Sequence, residues 1–175
     1  MTTTCYGQTG GNAQAIQYGS GTWFTTIGQQ LNSGNALIGT SISGCYFKCS
    51  NNGSSPSNST VSCKLLDSTG SEKLVANETF QANTLTSSLV QYDFTFPSGT
   101  TIAIDDMIVL TCPTLTTGEI FIETNSTDSD PNTEIVRINN SGSIDNVSRD
   151  CTMCIDTDVV GTGTRLPPPP IVVRF

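Results

Sequence analysis

Cysteine is the residue type in this chain most suited to site chemistry, since the sequence has seven cysteines and no histidine. Cys45 and Cys49 lie four residues apart, and Cys63 follows across a loop rich in Gly, Ser and Asn. In a strand that rises ~3.3 Å per residue, four positions separate Cα atoms by ~13 Å, too far for a disulfide or a shared metal ion. We favour buried thiols, then a Cys49–Cys63 disulfide across a hairpin, and last a metal site.

A second cysteine cluster reads "CTMC" and places Cys151 and Cys154 three positions apart. This spacing is typical of half a zinc site or of a redox pair. A zinc site needs two more ligands, and Cys5 supplies only a third. A redox pair needs a helix N-terminus, which the sequence does not predict here. A Cys151–Cys154 disulfide and two free thiols therefore both stay open.

Acidic side chains recur at alternate positions in "TDSDPNTE", where Asp128, Asp130, Asn132 and Glu134 begin like a calcium loop. The glycine and the flanking helices of an EF-hand are missing, so the alternative is a solvated acidic turn. Calcium is the one candidate cofactor. Without histidine, the chain has no Ser-His-Asp set, no Cys-His set and no His-ligated zinc. We therefore expect no enzyme.

The charge of the chain excludes several classes of partner. The net charge is −8, with seven Lys plus Arg among 175 residues. Binding to a phosphate backbone needs clustered cations, and anionic lipid attracts them too. No stretch has the length of a transmembrane helix. We therefore expect neither nucleic-acid binding nor membrane insertion, and the N-terminus does not have the pattern of a signal peptide.

Alternating apolar and polar residues predict an all-β fold, because each strand then has one buried and one solvated face. About eight such strands in one domain indicate an antiparallel two-sheet β-sandwich of the jelly-roll type. Cys45, Cys49, Cys63 and Cys112 fall on the apolar phase of their strands, where free cysteine packs as a small hydrophobe. The predicted strands lie within residues 17–31, 42–49, 61–67, 90–96, 107–112, 119–123, 133–138 and 171–175.

The first 18 residues consist mostly of Thr, Gly, Gln and Asn without hydrophobic periodicity. We predict that residues 1–18 form a flexible arm and that residues 19–175 form the sandwich. Tyr6, Ile16 and Tyr18 are more apolar than a plain linker requires. The arm is therefore expected to order against a neighbouring subunit during assembly.

Six phrases in order carry a resemblance to a known group: "SGNALIGTSISGCYFKC", "VSCKLLDSTG", "LTSSLVQYDFTF", "IAIDDMIVL", "NSTDSDPNTEIVRIN" and "IVVRF". Residues 19–175 resemble jelly-roll modules of the carbohydrate-binding-module type, which occur in archaeal and bacterial surface proteins and in structural proteins of their viruses. The group has aliphatic or aromatic core residues where this chain has cysteines, which agrees with thiols that pack in the core. The resemblance implies a fold and brings no functional residues with it.

These observations lead to three hypotheses for function. The first is a structural protein of a virion or another extracellular assembly, namely a capsid decoration, fibre or surface-layer subunit. Its partners are further copies of the chain or other subunits of the assembly, at the virion surface or outside the cell. The second is a carbohydrate-binding module for surface glycans, with Trp23 and Tyr46 as outward aromatic contacts. The third, a carboxylate glycosidase or a polysaccharide lyase, has the least support.

Overall fold

The computed structural model describes residues 2–7, 11–19, 21–51, 53–125 and 130–158. These residues form twelve β-strands and one short 3-10 helix, Ala82–Thr84. The predicted strand at residues 171–175 lies outside them. The strands are β1 Thr2–Tyr6, β2 Gly11–Gln17, β3 Phe24–Leu31, β4 Ser41–Ser50, β5 Thr60–Leu66, β6 Glu72–Gln81, β7 Val90–Thr95, β8 Met107–Thr111, β9 Glu119–Asn125, β10 Thr133–Asn139, β11 Ile144–Val147 and β12 Met153–Asp158.

The strands form two six-stranded antiparallel sheets. Sheet 1 has the order β1-β12-β4-β9-β2, with β7 also paired to β4, and sheet 2 has the order β11-β10-β3-β8-β5-β6. The predicted all-β sandwich of two antiparallel sheets is confirmed. The strand count exceeds the expected eight because edge strands such as β1, β2 and β11 bury few side chains and leave little apolar alternation in the sequence.

The long strand β4 organises sheet 1. Phe47 pairs with β7 on one side and with β12 on the other, and Cys49 pairs with β7 and with β9. Strands β12 and β9 therefore lie end to end along the same side of β4. Next to them, β1 pairs with β12 and β2 pairs with β9, so that the N-terminal residues run along this whole side of the sheet.

The segment predicted as a flexible arm, residues 1–18, contains two paired strands among its described residues. Strands β1 and β2 are paired into sheet 1 by continuous backbone register. The side chains of Tyr6 and Ile16 belong to the sandwich core, where they are 4% and 0% exposed. Strand pairing satisfies the backbone of this segment, so two apolar anchors suffice where the sequence shows mostly small polar residues.

Cysteine contributes substantially to the core between the sheets. Five thiols are free and buried, namely Cys45, Cys49, Cys63, Cys112 and Cys151. Burial raises the pKa of Cys49, Cys63 and Cys151 well above the ordinary thiol range, and it raises the pKa of Cys112 to about 11. These thiols stay protonated near neutral pH and act as small apolar side chains.

One disulfide is present among the described residues, and it is neither of the two pairings that the sequence left open as alternatives to free thiols. Cys5 on β1 is bonded to Cys154, directly opposite on β12, with a Cα–Cα distance of 4.0 Å. Cys151 lies three positions before Cys154, and an odd separation on an extended chain places it on the other face of the sheet. The β4–β5 hairpin in which Cys49 and Cys63 were expected to lie opposite each other does not form, and both residues are free thiols.

Replacing the core thiols with hydroxyls tests whether these side chains are buried without polar partners. Cys49 is fully buried, and its raised pKa has burial as its only cause. Cys49→Ser should therefore lower the free energy of unfolding by ~1–3 kcal/mol, because the hydroxyl would lack a partner. Cys112→Ser should lower the free energy of unfolding by a smaller amount, because the Ser59 hydroxyl and the Leu115 amide lie within hydrogen-bonding reach of the thiol. Urea unfolding measures both, with Ala variants as controls, and equal costs for the two Ser variants would contradict this picture.

Candidate functional site

An aromatic pair lies at one corner of the sandwich, where the ring of Tyr18 meets that of Trp23. The ring centroids are 5.3 Å apart and the planes are tilted by 57°. Tyr18 follows β2 in sheet 1 and is 52% exposed, and Trp23 precedes β3 in sheet 2 and is half-buried. The pair therefore spans the two sheets and presents aromatic surface to solvent.

Hydrogen bonds from the β10–β11 turn hold the backbone of Trp23. The Asn140 amide donates to the Trp23 carbonyl at 2.9 Å, and the Trp23 amide donates to Asn140 Oδ1 at 3.4 Å. Asn140 Nδ2 also donates to the Gly21 carbonyl at 3.5 Å. We call Tyr18, Trp23 and Asn140 the aromatic corner. Ring faces beside amide groups can contact the C–H face and the hydroxyls of a sugar.

Tyr46 lies elsewhere, on the outer face of sheet 1, where it lines a groove of about 300 Å³. The backbone explains why the groove is open. A Cβ atom on Gly44 would lie 2.9 Å from the Phe94 carbonyl oxygen, so only glycine fits without displacing the chain. The Tyr46 hydroxyl lies 3.0 Å from Sγ of Cys154 and is the donor, because a disulfide sulfur has no hydrogen. The groove is lined by Ser43, Gly44, Cys45, Tyr46, Asp93, Phe94, Thr95 and Asp156.

Two carboxylates flank this groove from the strands on either side of β4. Asp93 on β7 accepts a hydrogen bond from Gln91 at 2.7 Å, and Asp156 on β12 accepts one from the Thr3 hydroxyl at 2.5 Å. Ser43 Oγ is buried and has no hydrogen-bond partner among the described residues. The groove thus offers oxygen acceptors and a hydroxyl around a glycine floor, and it can hydrogen-bond a small polar ligand.

The structure does not bring the predicted glycan contacts together. Trp23 lies at the corner between the two sheets, whereas Tyr46 lies on the outer face of sheet 1. The sequence pointed to both residues but not to their neighbours. Tyr18, which we assigned to assembly, pairs with Trp23, while Tyr6 and Ile16 from the same assignment are core residues.

The described part of the acidic stretch, residues 130–134, passes through a turn at 131–132 and enters β10. Asp130 Oδ1 accepts a hydrogen bond from the Asn132 amide at 2.9 Å, and Glu134 lies in β10 opposite Gln30. Asp128 lies outside the described residues. No three His, Cys, Asp or Glu side chains converge as metal ligands in the part of the chain that the structure describes. The predicted calcium loop therefore has no assembled ligand set among the described residues.

A buried carboxylate that the sequence did not single out organises this region. Asp150 is 0% exposed and accepts hydrogen bonds from Gln29 Nε2 at 3.1 Å, from the Asp130 amide at 3.2 Å and from the Thr133 hydroxyl. Gln29 Oε1 in turn accepts from the Cys151 amide at 2.6 Å. The carboxylate links β3, the turn before β10 and the start of β12, and its position gives it a structural role.

Sheet edges are the remaining surfaces with unpaired backbone, and they differ in charge. Charged side chains stand on β6 (Glu72, Lys73, Glu78), on β7 (Asp93) and on β11 (Asp145). The β7 edge is also blocked, because Glu78 accepts hydrogen bonds from the Thr95 amide at 2.5 Å and from the Thr95 hydroxyl at 2.6 Å. Strands β1 and β2 contain no Asp, Glu, Lys or Arg, and the first charged side chain of the chain is Lys48. We call β1 and β2 together the neutral edge.

The described residues include no helix with the length and apolar character needed to cross a membrane.

Glu78 generates a prediction about pH. Hydrogen bonds from the Thr95 hydroxyl and then from the Thr95 amide lower the pKa of Glu78. A lowered pKa in the folded state stabilises the protein above the carboxyl's ordinary pKa, and this contribution is lost as the pH falls through the lowered value, on the acid side of about 4. Urea unfolding should show that Glu78→Gln destabilises at neutral pH and that the difference disappears in acid.

Thr95→Val provides the matched variant, since it removes the hydroxyl donor and keeps the side-chain shape. Its effect should not add to that of Glu78→Gln, because both substitutions break the same contact. An NMR titration that gives Glu78 an ordinary or raised pKa would contradict this assignment.

Comparison with known proteins adds no further site residues. No protein-family model, no curated protein and no solved structure matches this chain. The aromatic corner, the groove and the sheet edges are therefore the features of this chain that bear on its function.

Proposed function

We propose that this protein is a non-enzymatic structural subunit of a virion or another extracellular assembly, as a capsid decoration, a fibre or a surface layer. It associates with further copies of itself through the neutral edge. The observation that carries the proposal is the run of β1 and β2 along one side of sheet 1 without a charged side chain.

The neutral edge is suited to strand pairing. Within the described residues no further strand pairs with β1 or β2 beyond β12 and β9. An uncovered edge presents backbone N–H and C=O groups that can pair with another strand, and proteins commonly protect such edges with charges. Here β6, β7 and β11 carry charges and β1 and β2 do not. Two copies related by a two-fold axis can pair such edges antiparallel, because the same surface then serves both partners.

Electrostatics favours this edge over the other surfaces. A net charge of −8 makes copies repel each other at most approaches. The side chains of β1 and β2 add no charge to this repulsion. Charged side chains stand one strand further in, with Glu123 opposite Ala13 and Asp156 opposite Thr3. The Cys5–Cys154 disulfide fixes β1 to β12 and holds the backbone of the edge in its extended form.

This mode of assembly replaces the one expected from the sequence. Tyr6 and Ile16 are buried in their own sandwich and cannot anchor a neighbour. The contacts between copies are backbone hydrogen bonds, with the exposed ring of Tyr18 next to the end of β2. The N-terminal segment then acts in assembly as an ordered strand.

Ala13→Lys tests the neutral edge, because Ala13 is an exposed residue of β2. The matched control is Thr79→Lys, which adds the same charge at an exposed position of the already charged β6. Sedimentation velocity should show self-association of the wild type and of the control. The Ala13 variant should associate at least about tenfold more weakly, which corresponds to about 1.4 kcal/mol.

Two results would contradict the proposal. One is a wild-type protein that stays monomeric at every concentration. The other is an equal loss of association in the two variants, which would assign the effect to net charge and not to the neutral edge.

A second candidate function, a carbohydrate-binding module for surface glycans, is favoured by the aromatic corner. Trp23 is the only tryptophan, so its fluorescence reports directly on a ligand at this position. Titration with neutral oligosaccharides should change the emission of the wild type, and Tyr18→Ala should weaken the binding. Tyr46→Ala alters the separate groove and should leave oligosaccharide binding unchanged. Emission that no oligosaccharide alters would contradict a glycan site at the aromatic corner.

A further inference from the structure

Two buried thiols face each other between the sheets. Cys45 belongs to β4 in sheet 1, Cys63 belongs to β5 in sheet 2, and their Sγ atoms are 3.5 Å apart. The residues are 4% and 0% exposed. Their strands do not pair with each other, so the two sulfur atoms meet through the packing of one sheet on the other.

We propose that Cys45 and Cys63 form a second disulfide, which joins the two sheets through the centre of the core. A disulfide has an S–S distance of about 2.0 Å, so the two sulfurs need to approach by ~1.5 Å in total. Small rotations of the two side chains, shared with a slight approach of the sheets, can provide this movement. The proposal does not depend on how the protein assembles.

The geometry selects one partner for each thiol. Cys49 is the other thiol of β4, and it is buried on the same face of the strand as Cys45. Four positions along β4 separate Cys49 from Cys45 by ~13 Å, so a single Cys63 cannot be in contact with both. The 3.5 Å contact assigns Cys63 to Cys45 and leaves Cys49 as a free thiol.

The bond forms by thiol–disulfide exchange with a small-molecule disulfide such as oxidised glutathione. One cysteine thiolate attacks the glutathione disulfide, forms a mixed disulfide and releases one glutathione thiolate. The second cysteine thiolate then attacks the protein sulfur of that mixed disulfide and releases the second glutathione. The two protein thiols lose two protons and two electrons, and glutathione disulfide gains both.

Burial places this reaction during folding. In the folded protein, burial raises the pKa of Cys63, and the thiolate that must attack is scarcely formed. During folding both thiols are in water while β4 and β5 are being brought together. Once formed, the bond is as inaccessible to a reductant as the thiols are to an oxidant.

Mass spectrometry after refolding tests the proposal. The full chain is refolded in a glutathione redox buffer, denatured, treated with N-ethylmaleimide and digested with trypsin, which cleaves at Lys48 between Cys45 and Cys49. We expect alkylation of Cys49, Cys112 and Cys151, three thiols instead of the five that are free in the structure. Peptide 1–48 carries Cys5 and Cys45 and should be linked to peptide 49–64 through the proposed bond and to peptide 150–165 through the Cys5–Cys154 disulfide. N-ethylmaleimide on Cys49, located by fragmentation of peptide 49–64, then identifies Cys63 as the residue that is linked to Cys45.

Matched variants identify the partners. Cys49→Ala should keep the cross-link, whereas Cys63→Ala should abolish it and leave Cys45 alkylated. Circular dichroism checks that each variant folds. Alkylation of both Cys45 and Cys63 in the oxidising buffer would overturn the proposal, as would a cross-link that persists without Cys63.

Discussion

Sheet 1 depends on the pairing of β4 with three other strands. Strand β7 lies on one side of β4, and β12 and β9 share its other side, end to end. This arrangement creates a long boundary on which β1 pairs with β12 and β2 pairs with β9. Without β4, strands β12 and β9 would have no common support, and neither the neutral edge nor the groove beside Tyr46 would exist.

Sequence patterns predicted most strands in which apolar and polar residues alternate regularly. They missed β1, β2, β6, β11 and β12. In β4, Cys45, Phe47 and Cys49 alternate with Tyr46 and Lys48, so that both the strand and its buried side follow from the sequence. Strand β12 was missed because its cysteines suggested a local pair. Cys154 is instead bonded to Cys5, 149 positions away, and such a non-local partner follows only from sheet topology.

The candidate sites were less predictable than the fold, because each combines residues from different elements. Trp23 attracts notice as the single tryptophan, but its contact with Tyr18 exists only because the end of β2 meets the start of β3 at the corner between the sheets. Gly44 has no side chain to suggest a role, yet its missing Cβ opens the groove between Asp93 and Asp156. Asp150 belongs to no recognisable sequence motif. Its structural role depends on three hydrogen-bond donors from other segments of the chain.

The absence of charged side chains before Lys48 has a consequence for the response to salt. An interface made of ion pairs weakens as ionic strength rises, because mobile ions screen the attraction. Copies of this protein that meet along the neutral edge have no such attraction to lose. Salt screens only their mutual repulsion, whose range shrinks from about 30 Å at 0.01 M to about 8 Å at physiological ionic strength. The association that we propose along this edge is therefore expected to strengthen with salinity, so that the medium around the protein would decide whether its copies stay apart or pair.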